Sequence, residues 1–168
     1  MTDEADYNDP DHCTVGVIGE VGNRLFLFYC RQGLTEITVK VEKQQIAVLA
    51  SYLGRIVKEL GRPGHLPDDL SFDGTEDPEW VVGTIGVSYD EELDRVVVVL
   101  EEVHDEEEEE ESGHVLRIAL TREQAAAFAI HATRVVEAGR PPCPLCGLPL
   151  DPSGHDCPRT NGHRPPVT

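Results

Sequence analysis

Hydrophobic positions along this chain fall into two matching series. Residues 14–19 read TVGVIG and residues 81–86 read VVGTIG, so V-G-x-I-G recurs at a separation of 67. A short polar turn and an apolar strand follow each copy: RLFLFYCR from Arg24 and RVVVVLEE from Arg95. A third strand-like stretch comes next, TEITVKV in the first half and HVLRIAL in the second. Each half then changes to a 3.6-residue period, the mark of an amphipathic helix. Ile46, Leu49, Ala50, Leu53, Ile56 and Val57 form one stripe, and Ala125, Phe128, Ala129, Ala132, Val135 and Val136 repeat its spacing 79 residues on.

The end signals agree. TREQ at 121–124 offers a capping box, with the Thr121 hydroxyl on a helical N–H and Gln124 reaching back. Both helices stop at Gly-Arg-Pro, since glycine accepts the left-handed residue and proline forbids continuation. The expected fold is α+β: a duplicated β-β-β-α unit with antiparallel strands and two helices sharing one core. Each half alone is too short for a secure core. Strands at 25–29 and 96–100 are apolar on both faces, so they should be central and covered on each side.

The boundaries follow from these signals. Residues 1–12 are acidic and read as disordered, 13–63 as the first repeat and 64–79 as an inter-repeat loop. Residues 80–141 read as the second repeat, 142–168 as an appended tail. The loop is rich in Pro, Gly and Asp; a connection of that length is either a plain irregular crossover or a lid. Inside the second repeat, 104–112 carries seven consecutive acids from Asp105 to Glu111 and reads as a solvated loop tip.

The tail carries the most specific chemistry. Cys143 and Cys146 are spaced as in a zinc knuckle, with Gly147 letting backbone N–H groups approach the sulfurs. Asp151-Pro152-Ser153-Gly154 has the residues of a type I turn, which would bring His155 and Cys157 back onto that pair. Cys143, Cys146, His155 and Cys157 then make a closed Cys3His site holding a structural Zn2+. His163, beyond Asn161-Gly162, is the alternative fourth ligand. Four prolines around the knuckle argue against the helix that a redox Cys-x-x-Cys opens. A tail too small for a core would draw its folding free energy from the metal.

Charge narrows the partners. With 32 acids against 14 bases the net charge is −18, which repels DNA, RNA and anionic membrane surfaces. A solvated surface is the plain reading of so many acids, and an acidic docking face for a basic partner the sharper one. No apolar run approaches a membrane span, and MTDEADYNDPDH is the reverse of a signal peptide, so a cytoplasmic protein with reduced thiols is expected.

Catalytic signatures are absent: there is no Gly-rich phosphate loop, nucleophile elbow or H-E-x-x-H. Cys13 and Cys30 fall on strands and read as small core residues. His131 sits at the edge of the second apolar stripe; His65 lies in the inter-repeat loop, and His104 and His114 flank the acidic run. Arg55 and Arg134 occupy equivalent helix positions and, under pseudo-twofold symmetry, would converge as anion contacts in a crevice between the repeats. The plainer alternative is that each snorkels or pairs with a nearby acid.

The repeat, the GRPPCPLCG junction and GHDCPRTNG together resemble a family of uncharacterised actinobacterial proteins with a C-terminal zinc-ribbon-like tail. The resemblance spans nearly the whole chain and rests on Cys143, Cys146, Gly154, His155, Cys157, Pro158, Arg159, Asn161 and Gly162. It implies that position 163 often lacks histidine, which favours His155 as ligand. It further implies genes lying beside those of a histidine-phosphatase-like protein and a phosphatidylinositol-kinase-like protein. The resulting expectation is a non-enzymatic binding or adaptor protein working with a phosphatase-like or kinase-like partner. An enzyme or small-anion binder using the inter-repeat crevice is the alternative.

Overall fold

Among the described residues, alternating and doubly apolar segments become seven strands, and the two 3.6-period segments become two helices. The structure, a computed structural model, describes residues 3–19, 24–61, 64–104 and 113–138. In chain order these are β1 (Asp3–Tyr7), β2 (His12–Ile18), β3 (Leu25–Gln32), β4 (Thr35–Val41), α1 (Lys43–Leu60), β5 (Val82–Asp90), β6 (Arg95–Glu102), β7 (His114–Leu120) and α2 (Arg122–Glu137). The fold is mixed α+β, with β-β-β-α running from 12 to 60 and again from 82 to 137.

The strands form two sheets. β2-β3-β4 is antiparallel throughout, and the other sheet has the order β1-β7-β6-β5. Both strands expected to be central are central: β3 lies between β2 and β4, and β6 between β7 and β5. The sheets are stitched where the crossover ends, with Lys40 N–H donating to the Trp80 carbonyl and Glu79 N–H to that of Thr38, each at 2.9 Å.

The first twelve residues depart from the sequence expectation. Residues 3–7 are strand β1, paired parallel to β7 with Asp3 opposite His114 and Tyr7 opposite Ile118. The acids hid a two-residue alternation in which Ala5 and Tyr7 face the core, and Tyr7 is only 3% exposed. An edge of β7 supplies the partner that no local pattern announces.

The helices pack reciprocally. α1 lies against α2 and β5, and α2 against α1 and β2, so each half's helix covers the other half's sheet. Phe28 of β3 meets Phe128 of α2 with ring centroids 5.6 Å apart. One hydrophobic cluster runs through both halves, from Val15, Phe28 and Leu53 to Val98, Ile118 and Ala132. Thr121 and Gln124 form the expected capping box, while α1 opens with a box of its own in which Gln45 accepts from Glu42 N–H. Gly61 ends α1 with φ 99°. Arg122 ties the ends together: its Nη1 donates to the Leu60 carbonyl at 2.8 Å and its Nε to Asp94 at 2.9 Å.

The repeated glycines serve different ends. A Cβ on Gly16 would lie 2.5 Å from the Phe72 ring, so glycine there admits the crossover. A Cβ on Gly83 would lie 2.7 Å from Val103 Cα, at the point where the β5–β6 register shifts.

Candidate functional site

The segment at 64–79 is irregular, as expected, and it covers the outer face of the first sheet. Thr14 Oγ1 donates to the Leu70 carbonyl at 2.6 Å, and a His12 ring nitrogen lies 2.7 Å from the Ser71 carbonyl. Phe72 packs edge-on against Tyr29 at 6.0 Å, while Thr38 Oγ1 accepts from Thr75 N–H at 3.4 Å. These contacts account for Thr14 and Thr38 being the buried polar residues of the first sheet. They also supply the second cover that the doubly apolar β3 requires.

Where this strap meets α2, a groove of about 510 Å³ opens. Leu66, Leu70 and Phe72 form its strap wall, and Ile130, His131 and Arg134 line it from α2. Ile130 is 48% exposed, a large apolar side chain presented to the groove rather than to the core. His131 is fixed, with its Nε2 2.9 Å from the Val15 carbonyl. Arg134 is exposed, and among the described residues no carboxylate pairs with it. The site is thus a largely apolar trough with the Arg134 guanidinium at its side and Asp68 and Ser71 on its strap wall, suited to an apolar group that carries an anion to Arg134.

Arg55 is not among the residues lining this groove. Its guanidinium lies 5.7 Å from the centre of the Tyr52 ring on its own helix, a cation–π contact on the exposed face of α1. Equivalence along the sequence did not bring the two arginines into one lining, because α2 faces the strap and the corresponding turn of α1 faces solvent. Of the two, Arg134 lines the groove.

Cys13 and Cys30 are small core residues, as read: they sit directly opposite each other on β2 and β3, 7% and 0% exposed, and both are free thiols. Burial pushes the Cys13 thiol well up, and its hydrogen bond to Cys30 adds to this. His65 stands 3.8 Å from Asp68 on the exposed strap. His114 contacts Glu102 at 2.8 Å and stacks on Trp80. The proposed zinc ligands Cys143, Cys146, His155 and Cys157, the alternative His163, and most of the acidic loop lie outside the described residues. Sequence reasoning missed the groove itself, since Leu66, Leu70 and Phe72 stand in a segment with no period; their only signal is being apolar among Pro, Gly and Asp.

Among the described residues no helix is long and apolar enough to cross a membrane. No curated protein and no solved structure matches the chain. A family match spans residues 5–157, from inside β1 to the last cysteine: the chain belongs to the family described as "Protein of unknown function (DUF3090)".

Proposed function

We propose that the protein is a cytoplasmic binding or adaptor module whose strap–α2 groove receives an apolar, acid-bearing segment of a partner, with a structural zinc clip in the tail. The observation that carries this reading is the exposed Ile130 beside Arg134, with which no carboxylate of the described residues pairs, in a largely apolar trough that Asp68 and Ser71 also line. Within the groove Arg134 is the cationic side chain that can meet an acidic group of the partner. The phosphatase-like and kinase-like proteins implied by the family resemblance are the partners to test. Zinc at Cys143, Cys146, His155 and Cys157 is supported by ligand type and spacing. The family match ends on Cys157, which includes His155 and leaves out His163.

The test has two arms. Purified candidate partners are titrated against wild type, Ile130→Asp and Arg134→Glu; binding lost by about tenfold or more in either variant supports the groove. Partners that bind neither wild type nor variants, or all three equally, end the adaptor reading. Metal content of protein purified without added metal, beside His155→Ala and His163→Ala, tests the clip: one zinc weakened by the His155 change alone is expected. A second reading, a small-anion site, draws on the same free Arg134. It predicts saturable binding of inorganic phosphate, abolished by Arg134→Gln, with no protein partner.

A further inference from the structure

A second cleft, of about 440 Å³, opens where β1, β4, β7 and the end of the strap come together. Tyr7 and Trp80 line it, 3% and 6% exposed, and Glu36 and Glu79 stand at its exposed margin. The Tyr7 hydroxyl forms no hydrogen bond with any described residue, although the side chain is almost wholly buried. Burial first, then the nearness of Cys30, Glu79 and Glu36, pushes its phenol up to about 12. Both carboxylates share the cleft lining with that phenol. The phenol oxygen is thus a polar group of the cleft with bonding capacity left for a ligand.

The rest of the cleft is preset. One oxygen of Glu36 accepts from Tyr29 Oη at 2.7 Å, which orients the carboxylate. The indole of Trp80 stacks on His114 with centroids 5.9 Å apart and planes 13° from parallel. Glu102 in turn holds His114 through its backbone N–H and its ring. Two carboxylates, a phenol oxygen and an indole suit an organic cation, which needs one or two acids and an aromatic neighbour. A hard metal ion asks for more: six or so oxygen ligands are usual, and among the described residues no three His, Cys, Asp or Glu side chains are grouped to hold one.

Leu34 indicates what carries the cation. It stands at the tip of the β3–β4 turn, fully exposed at 106%, immediately before Thr35, which lines the cleft. A leucine so placed beside an acidic cleft matches a partner surface that is basic and apolar in adjacent positions. We propose that this cleft binds a lysine or arginine side chain of a partner protein between Glu36 and Glu79, with Leu34 as the adjoining apolar contact. The site is distinct from the strap–α2 groove and stands whether or not that groove binds a partner.

Trp80 is the chain's one tryptophan and so reports on this cleft directly. Its fluorescence is followed while the full chain is titrated, at physiological salt, with acetyl-Leu-Lys-amide and acetyl-Leu-Arg-amide. Acetyl-Leu-norleucine-amide and n-butylammonium serve as comparison probes. A saturable change with the two basic dipeptides is expected, absent with norleucine and weaker with butylammonium. Glu36→Gln and Glu79→Gln should each weaken binding by about fivefold. Leu34→Ala should weaken the dipeptides while leaving butylammonium unchanged. No saturable change, an equal response to norleucine, or carboxamide variants that bind like wild type would overturn the proposal. Butylammonium binding as tightly as the dipeptides would overturn the partner and leave a small-amine site. Unchanged circular dichroism of the variants separates loss of the site from loss of the fold.

Discussion

Gly16 and Phe72 occupy one space: the ring of the second fills the volume in which any side chain of the first would begin. Overpacking of this kind costs about 1–3 kcal/mol, so Gly16→Ala should lower the urea midpoint accordingly. The same change made beside Phe72→Ala should cost less than the sum of the two alone, because the residues are in contact. A second expectation concerns the facing thiols of Cys13 and Cys30. The thiolate is the reacting form, and burial holds the Cys13 thiol protonated at neutral pH. Peptide mapping after brief iodoacetamide treatment should find the Cys13 and Cys30 peptides unmodified until denaturant is added. Rapid alkylation of either in the native protein would contradict the packed dithiol.

Among the elements, β1 owes most to distant partners. Five residues cannot hold a strand alone, and here β7 supplies the backbone bonds while Tyr7 enters the core. Tyr7→Ala should cost about 3–5 kcal/mol by chemical denaturation, as for other large buried rings. Deleting residues 1–8 should lower the midpoint and raise light scattering, since it bares a long edge of β7. Helices were the most legible elements: Ile46, Leu49, Ala50, Leu53 and Val57 are buried as their spacing requires, and Thr121 caps α2 as its sequence requires. Both central strands were legible from being apolar on two faces. β1 was not, because two inward residues among three acids look like an acidic tail. The strap groove was not either, since its walls come from an irregular segment whose position depends on Gly16, Thr14 and His12 across the sheet. Sequence equivalence also misled at Arg55 and Arg134, where like positions on two helices face unlike surroundings.

For the molecule as a whole, net charge sets how stability responds to solution. With a charge of −18 the folded chain repels itself, and moderate salt should raise its midpoint. The carboxyls of Asp94, Glu102 and Glu123 are all held low, chiefly by hydrogen bonds from Tyr89 and Arg122, from His114, and from the Gly64 N–H. A folded-state pKa below the unfolded value gives stability that is present above the unfolded pKa and lost as pH falls through the folded one. Denaturant midpoints should therefore be level near neutrality and decline below about pH 4. Tyr7 and Tyr29 have the opposite sign, both pushed up to about 12, with burial the largest cause in each. Their contribution is complete below the unfolded phenol value and lost as pH rises toward 12. Tyrosinate absorbance should show a late phase near pH 12 that Tyr7→Phe diminishes.

The pairing of β1 with β7 has a consequence for synthesis. The ribosome releases Asp3 to Tyr7 long before His114 to Leu120, their strand partner among the described residues. α1 likewise emerges before β5 and α2, the elements that cover it. The β2-β3-β4 sheet can pair from the first half alone, but β1 and the apolar face of α1 wait for the second half. The nascent chain must carry Ile46, Leu49 and Leu53 uncovered through that interval, so closure of the core is dominated by long-range contacts. A truncated product ending before β7 would be a target for chaperones and proteases, not a smaller working version of the protein.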